Sequence, residues 1–104
     1  MSLCLVYITT PTLEEAEIIG GNLVSRKIAA CVNIVDGMKS IYNWEGKVEH
    51  GNEVILIAKT KTALVSELVE NVKALHSYTC PAIVALPIID GSESFLNWIR
   101  NETK

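Results

Sequence analysis

Basic residues are few and scattered: nine Lys and Arg stand against twelve Asp and Glu, for a net charge of −3 and a pI near 5.3. Binding a nucleic-acid backbone takes a dense basic patch, so no nucleic-acid partner is expected. Long apolar runs are missing too. The stretch from Leu3 to Ile8 lacks a basic segment before it and is too short for a signal core or a membrane span, so no membrane association is expected. Cysteine is sparse, and Cys4, Cys31 and Cys80 form an odd set with no CxxC spacing. A secreted disulfide framework normally shows an even set, and this one points to the reducing cytoplasm.

Enzyme signatures are absent as well. The chain contains no GxSxG, P-loop, HExxH or GxGxxG, and its two histidines, His50 and His76, lie on different predicted elements. Its glutamates are scattered, with no recognisable acid and base pair. The chain is therefore not expected to be an enzyme.

What remains is strongly apolar for so small a domain. Hydrophobic residues make up 49% of the 104 positions and charged residues 20%, and the mean hydropathy is +0.29. A chain of this length builds one core and buries about 65% of its unfolded surface. The surplus apolar surface is expected to be covered by another subunit.

Leu3 to Thr9 has strand composition and ends at Thr10-Pro11. Thr12 with Glu15 has the form of a capping box, and Leu13, Ala16, Ile19 and Leu23 then recur at helical spacing, predicting a helix to about Lys27. From Ile28 the chain reads as extended to Trp44, with a bulge or kink at Asp36-Gly37. Glu45-Gly46 is a tight turn and Lys47 to Thr60 the returning arm of a hairpin. Leu64, Leu68, Val72 and Leu75 mark a second helix, Ala82 to Ile89 a last strand, and Phe95 to Ile99 a short terminal helix. The expected class is α+β: a ferredoxin-like βαββαβ sandwich with a long central β-hairpin and a short C-terminal helix.

Hairpin arms of about 14 residues reach roughly 46 Å at ~3.3 Å per residue, whereas a compact chain of this length has a radius of gyration near ~13 Å. The hairpin should overhang its own domain. Open, apolar strand edges invite pairing, and a closed ring of identical chains satisfies them symmetrically, so a homo-oligomer is expected.

The segments Ala29-Ala30-Cys31-Val32-Asn33, Tyr42-Asn43-Trp44-Glu45-Gly46-Lys47-Val48-Glu49, Lys59-Thr60-Lys61-Thr62, Leu75-His76-Ser77-Tyr78 and Ala85-Leu86-Pro87-Ile88 follow one another in an order that resembles the CutA family across the whole chain. The resemblance implies one CutA-like domain over residues 1–104, a homotrimer like the PII-type signalling proteins, and a role in tolerance of copper and other divalent cations. It implies copper or another divalent cation as the ligand. The positions matching a copper site of some bacterial members are Ile8, Leu75 and His76, of which His76 alone bears a ligand side chain.

His76 is thus the first candidate metal ligand, as an imidazole for Cu or Zn. A histidine at a helix end equally caps the last carbonyls. Cys31, in an apolar extended segment, is either a small core hydrophobe or a thiolate ligand. A three-fold assembly multiplies either residue into three equivalents. Cys80 lies in a loop, where a thiol is accessible to soft metals or oxidants; Cys4, at a strand start, is the weakest candidate. Tyr42 and Trp44 alternate on one face of the hairpin arm, for packing or subunit contact. With Lys59 and Tyr78 they outline a possible inter-subunit cleft for a small anionic ligand, the alternative reading being a PII-like effector-binding trimer. His50 with Glu45, Glu49 and Glu53 is either a weak cation cluster or a solvated edge.

Overall fold

The computed structural model describes residues 2–104. Four strands and three helices follow in the expected order: β1 (Leu3–Thr10), α1 (Leu13–Ser25), β2 (Cys31–Trp44), β3 (Lys47–Lys61), α2 (Val65–Leu75) after a short 3-10 turn at Thr62–Leu64, β4 (Ile83–Ile88) and α3 (Glu93–Asn101). The sheet order is β2-β3-β1-β4, and each neighbouring pair is antiparallel. Two split βαβ units therefore interlock, α1 carrying the chain from β1 past β3 to β2, and α2 carrying it from β3 past β1 to β4.

Thr12 starts α1 by accepting the backbone N–H of Glu15 at 3.1 Å. The helix ends at Ser25, short of the predicted Lys27, because Lys27 turns left-handed at φ 58° and sends the chain back to the sheet. Ala16, Ile19 and Leu23 of α1 and Leu68 and Val72 of α2 are buried on Cys4, Val6 and Ile8 of β1 and Val54, Leu56 and Ala58 of β3. Leu13, expected on this stripe, is 43% exposed at the helix start. Gly20 lets α1 approach β2: a Cβ there would lie 2.8 Å from Val32 Cγ2.

The period-2 alternation of strands sorts every residue onto one of two faces. Even-numbered positions of β1 and β3 meet the helices. Leu5, Tyr7, Ile55, Ile57, Val84 and Leu86 project from the other face, which α1 and α2 do not cover. Only its margin is closed, where Ile99 and Leu96 of α3 pack on Leu3 and Ile88.

β2 and β3 form the long ribbon, turned by Glu45 and Gly46 at φ 49° and 80°. The expected irregularity lies between Val35 and Met38: Val35 faces Ile55 and Met38 faces Glu53, so β2 spends one residue more than its partner. This is a β-bulge, with Gly37 at φ 80°. The molecule measures 44 × 25 × 23 Å with a radius of gyration of 14.1 Å. Its surface of 6306 Å² exceeds the ~5,800 Å² of a compact monomer of this mass, as an overhanging ribbon requires.

Leu56 is fully buried beneath both helices. Leu56→Ala is expected to lower stability by about 2–5 kcal/mol, measured as a lower urea midpoint at fixed protein concentration; an unchanged midpoint would place the core elsewhere.

Candidate functional site

The bulge decides what the outer ribbon presents. Before it, odd positions of β2 (Cys31, Asn33, Val35) lie on the face away from the helices; after it, even positions do. Met38, Ser40, Tyr42 and Trp44 are thereby turned to the same side as Tyr7 and Thr9 of β1 and Glu53 of β3. These residues and the loop from Ser77 to Ala82 enclose a cleft of about 730 Å³. Tyr7 Oη lies 3.6 Å from Met38 Sδ, and Tyr78 donates its hydroxyl to Glu53 Oε2 at 3.0 Å. Burial first, and the Glu53 carboxylate second, push the Tyr78 phenol up to about 12, so the ring stays neutral at physiological pH.

His76 holds the loop in place. Its side chain is fully buried, and Nε2 lies 2.7 Å from the carbonyl oxygen of Thr9. A carbonyl only accepts, so Nε2 bears the proton. Nδ1 accepts the backbone N–H of Tyr78 at 3.1 Å and lies 3.3 Å from Glu15 Oε2, an oxygen that also accepts the Ser77 N–H at 3.1 Å. Glu15 thus does not complete the capping box with its side chain. It ties α1 to the cleft wall, a long-range partnership that no spacing in the sequence signals.

Among the described residues no group of three or more His, Cys, Asp or Glu side chains is placed to hold a metal ion. His76, read as a ligand, has neither ring nitrogen free within the chain. Cys31 lies on the uncovered face beside Lys59, in the row of Leu5, roughly 13 Å along the sheet from the row of Thr9 that His76 contacts. Cys80 is exposed at the cleft rim, while Cys4 is buried and its thiol pushed up by that burial, against a smaller lowering from Thr62. One chain therefore does not bring the metal candidates together.

Of the proposed cleft residues, Tyr42, Trp44 and Tyr78 do converge, and Lys59 does not line the cleft. Alternation along β3 separates the other suggested cluster. His50 pairs with Ile41 on the helix side of the ribbon, whereas Glu49 and Glu53, opposite Tyr42 and Met38, lie on the cleft side.

A small α+β sandwich with two helices on one face of a β2-β3-β1-β4 antiparallel sheet defines a ferredoxin-like domain, here with one sheet face bare and a ligand-sized cleft. Residues 4–102 match the family model for the CutA1 divalent ion tolerance protein, and the chain belongs to that family. It is 50% identical over 98 residues to the divalent-cation tolerance protein CutA of Thermus thermophilus, covering 94% of this chain and 95% of that protein. The chloroplastic CutA of Arabidopsis thaliana is 46% identical over 95% of this chain. The chain spans about half the length of that plant relative, 54%. Solved structures agree with the fold: the Thermus thermophilus protein superposes with a TM-score of 0.96 at 48% identity, covering 98% of this chain and 99% of that one. CutA1 from Oryza sativa gives 0.97 at 44%, covering 100% and 95%. The family is named for tolerance and not for a reaction. Among the described residues no helix is long and apolar enough to cross a membrane.

Two measurements probe this geometry. In an ultraviolet titration compared with Tyr78→Phe, Tyr78 is expected to ionise near 12, and Glu53→Gln to return it only part of the way to 10.0, since burial is the larger cause. The phenol is harder to ionise folded than unfolded, so its contribution to stability is complete below 10.0 and is lost as pH rises towards about 12. His76→Ala leaves the Thr9 carbonyl and the Tyr78 N–H without their ring partner, and is expected to cost about 1–3 kcal/mol in chemical denaturation; no loss would mean that water replaces the ring.

Proposed function

We propose that the chain serves divalent-cation tolerance in the cytoplasm as a homotrimer, binding copper or another divalent cation through ligands drawn from more than one subunit. The observation that carries this reading is the bare sheet face. Val35, Val84 and Leu86 are about half exposed there, at 49%, 53% and 48%, beside half-buried Leu5, Tyr7, Ile55 and Ile57. An apolar sheet face of this extent is normally covered, and among the described residues no element covers it beyond its margin at α3. A closed three-fold arrangement buries three such faces against one another and leaves none over.

Such an arrangement also supplies what a single chain lacks for metal. Cys31 is half-buried on this face and unpaired, and three symmetry-related thiolates near an axis make a soft site suited to Cu(I) or Zn. Three unpaired cysteines also suit a reducing compartment. Cys80 offers a second, more exposed thiol. His76 joins a metal site only by giving up its bonds to Thr9 and Tyr78.

A second reading is favoured by the cleft. Its 730 Å³ falls within the range of small-molecule sites, about 300–1,000 Å³, and its position on the assembling face makes it an effector site near a subunit boundary. In the single chain the basic partner expected for an anionic effector, Lys59, lies outside it.

Sedimentation at micromolar concentration is expected to give about 34 kDa, three times the 11.4 kDa chain, and Ile57→Asp is expected to shift the protein to smaller species by placing a charge in the apolar contact. A well-folded 11.4 kDa species would sink the trimer. In calorimetric titration with Cu(I) or Zn, Cys31→Ser is expected to weaken binding at least about tenfold, or 1.4 kcal/mol, and His76→Ala to change it little. Metal binding lost with His76 and retained without Cys31 would reverse the assignment.

A further inference from the structure

We propose that the cleft under the outer ribbon binds a small organic ammonium cation, with Glu53 as counter-ion and the rings of Tyr42, Trp44 and Tyr78 as its walls. The proposal rests on the reading of this cleft as an effector site, and it gives that effector a charge and a chemical class.

Three lysines, Lys39, Lys47 and Lys59, bear on the sign. Lys59 does not line the cleft. Lys39 is among the lining residues, but the bulge sends its side chain to the opposite face of the ribbon, where Nζ donates to Asn52 Oδ1 at 3.3 Å across the Lys39 and Asn52 pair. Among the described residues no other Lys, Arg or His contributes to the wall. Glu53 is the one carboxylate among the lining residues, with a single hydrogen bond from a phenol that stays neutral, while Glu49 and Lys47, opposite Tyr42 and Trp44 on the same side of the ribbon, lie outside the lining. A neutral donor on one oxygen leaves the full negative charge to be balanced by a ligand.

The aromatic residues fit the same sign. An aromatic face is the negative pole of the ring quadrupole, so it attracts cations and repels carboxylates or phosphates. Tyr42 and Trp44 stand two residues apart on one face, 46% and 47% exposed, with Tyr78 across from them on the loop. Alkyl groups on an ammonium nitrogen are weakly hydrated and gain by leaving water for such walls, whereas a hydrated metal ion holds its water and has only one carboxylate to meet here. The volume suits a molecule of several carbons and exceeds what a bare ion needs.

Calorimetric titration of the full-length protein separates the possibilities, with choline, its uncharged carbon analogue 3,3-dimethylbutan-1-ol, and pivalate as probes. Choline is expected to bind at millimolar Kd or tighter and at least about tenfold more tightly than the uncharged analogue. Glu53→Gln, which keeps an acceptor for Tyr78, is expected to weaken choline about tenfold and to leave the analogue unchanged. Trp44→Leu, on the exposed arm, should weaken choline with unchanged circular dichroism. Equal binding of choline and its analogue would overturn the proposal. Pivalate binding in preference to choline would overturn it and leave the cleft an effector site for anions. Binding of none of the three up to about 50 mM, far weaker than any specific site, would overturn the proposal and the effector reading together.

Discussion

Both helices that build the core lie on the same side of the sheet. A sheet layered on one side only has two honest forms, with its second face polar or with that face covered by something else. Here the second face carries Leu5, Tyr7, Ile55, Ile57, Val84 and Leu86, and α3 reaches only its edge at Leu3 and Ile88. This imbalance underlies the other properties of the molecule: the extended shape, the argument for assembly, and the placing of both the Cys31 row and the cleft on the side away from the helices.

The cleft depends on a second, smaller event. One extra residue at Asp36-Gly37 exchanges the faces of the outer ribbon, so that Tyr42 and Trp44 meet the loop after α2 and Lys39 does not. The loop is held from behind by His76 on Thr9 and by Glu15 of α1 on Ser77. The cleft wall is therefore fixed by groups that also stabilise the domain, which makes it a formed surface rather than a loose end.

Local chemistry made most of the fold legible. Thr12 before an apolar helical stripe, Glu45-Gly46 between two β-rich arms, and glycine at the ribbon's irregularity each state a backbone need that few other residues meet. Element ends were less visible: the first helix stops before Lys27 because the chain must turn back at once to bury Ile28 and Ala29, a tertiary demand absent from helical spacing. Tyr42 and Trp44 could be grouped because alternation along a strand is visible in sequence, whereas Tyr78 reaches them from the loop after α2. Lys59 does not line the cleft within one chain because it stands in the row of Leu5 and Cys31, nearer the base of the ribbon, and the partners of His76, Thr9 and Glu15, are 67 and 61 positions away in the chain, beyond the reach of local spacing.

The displaced parity of the ribbon has a consequence for how such a chain can change over generations. Gaining or losing one residue between the bulge and the turn would swap the side chains beyond it to the wrong side, whereas gains of two residues on each arm preserve both pairing and facing and only alter reach. Length variation in this arm should therefore come in matched steps, and a lone indel near Gly37 would be read as a change of surface identity rather than of size.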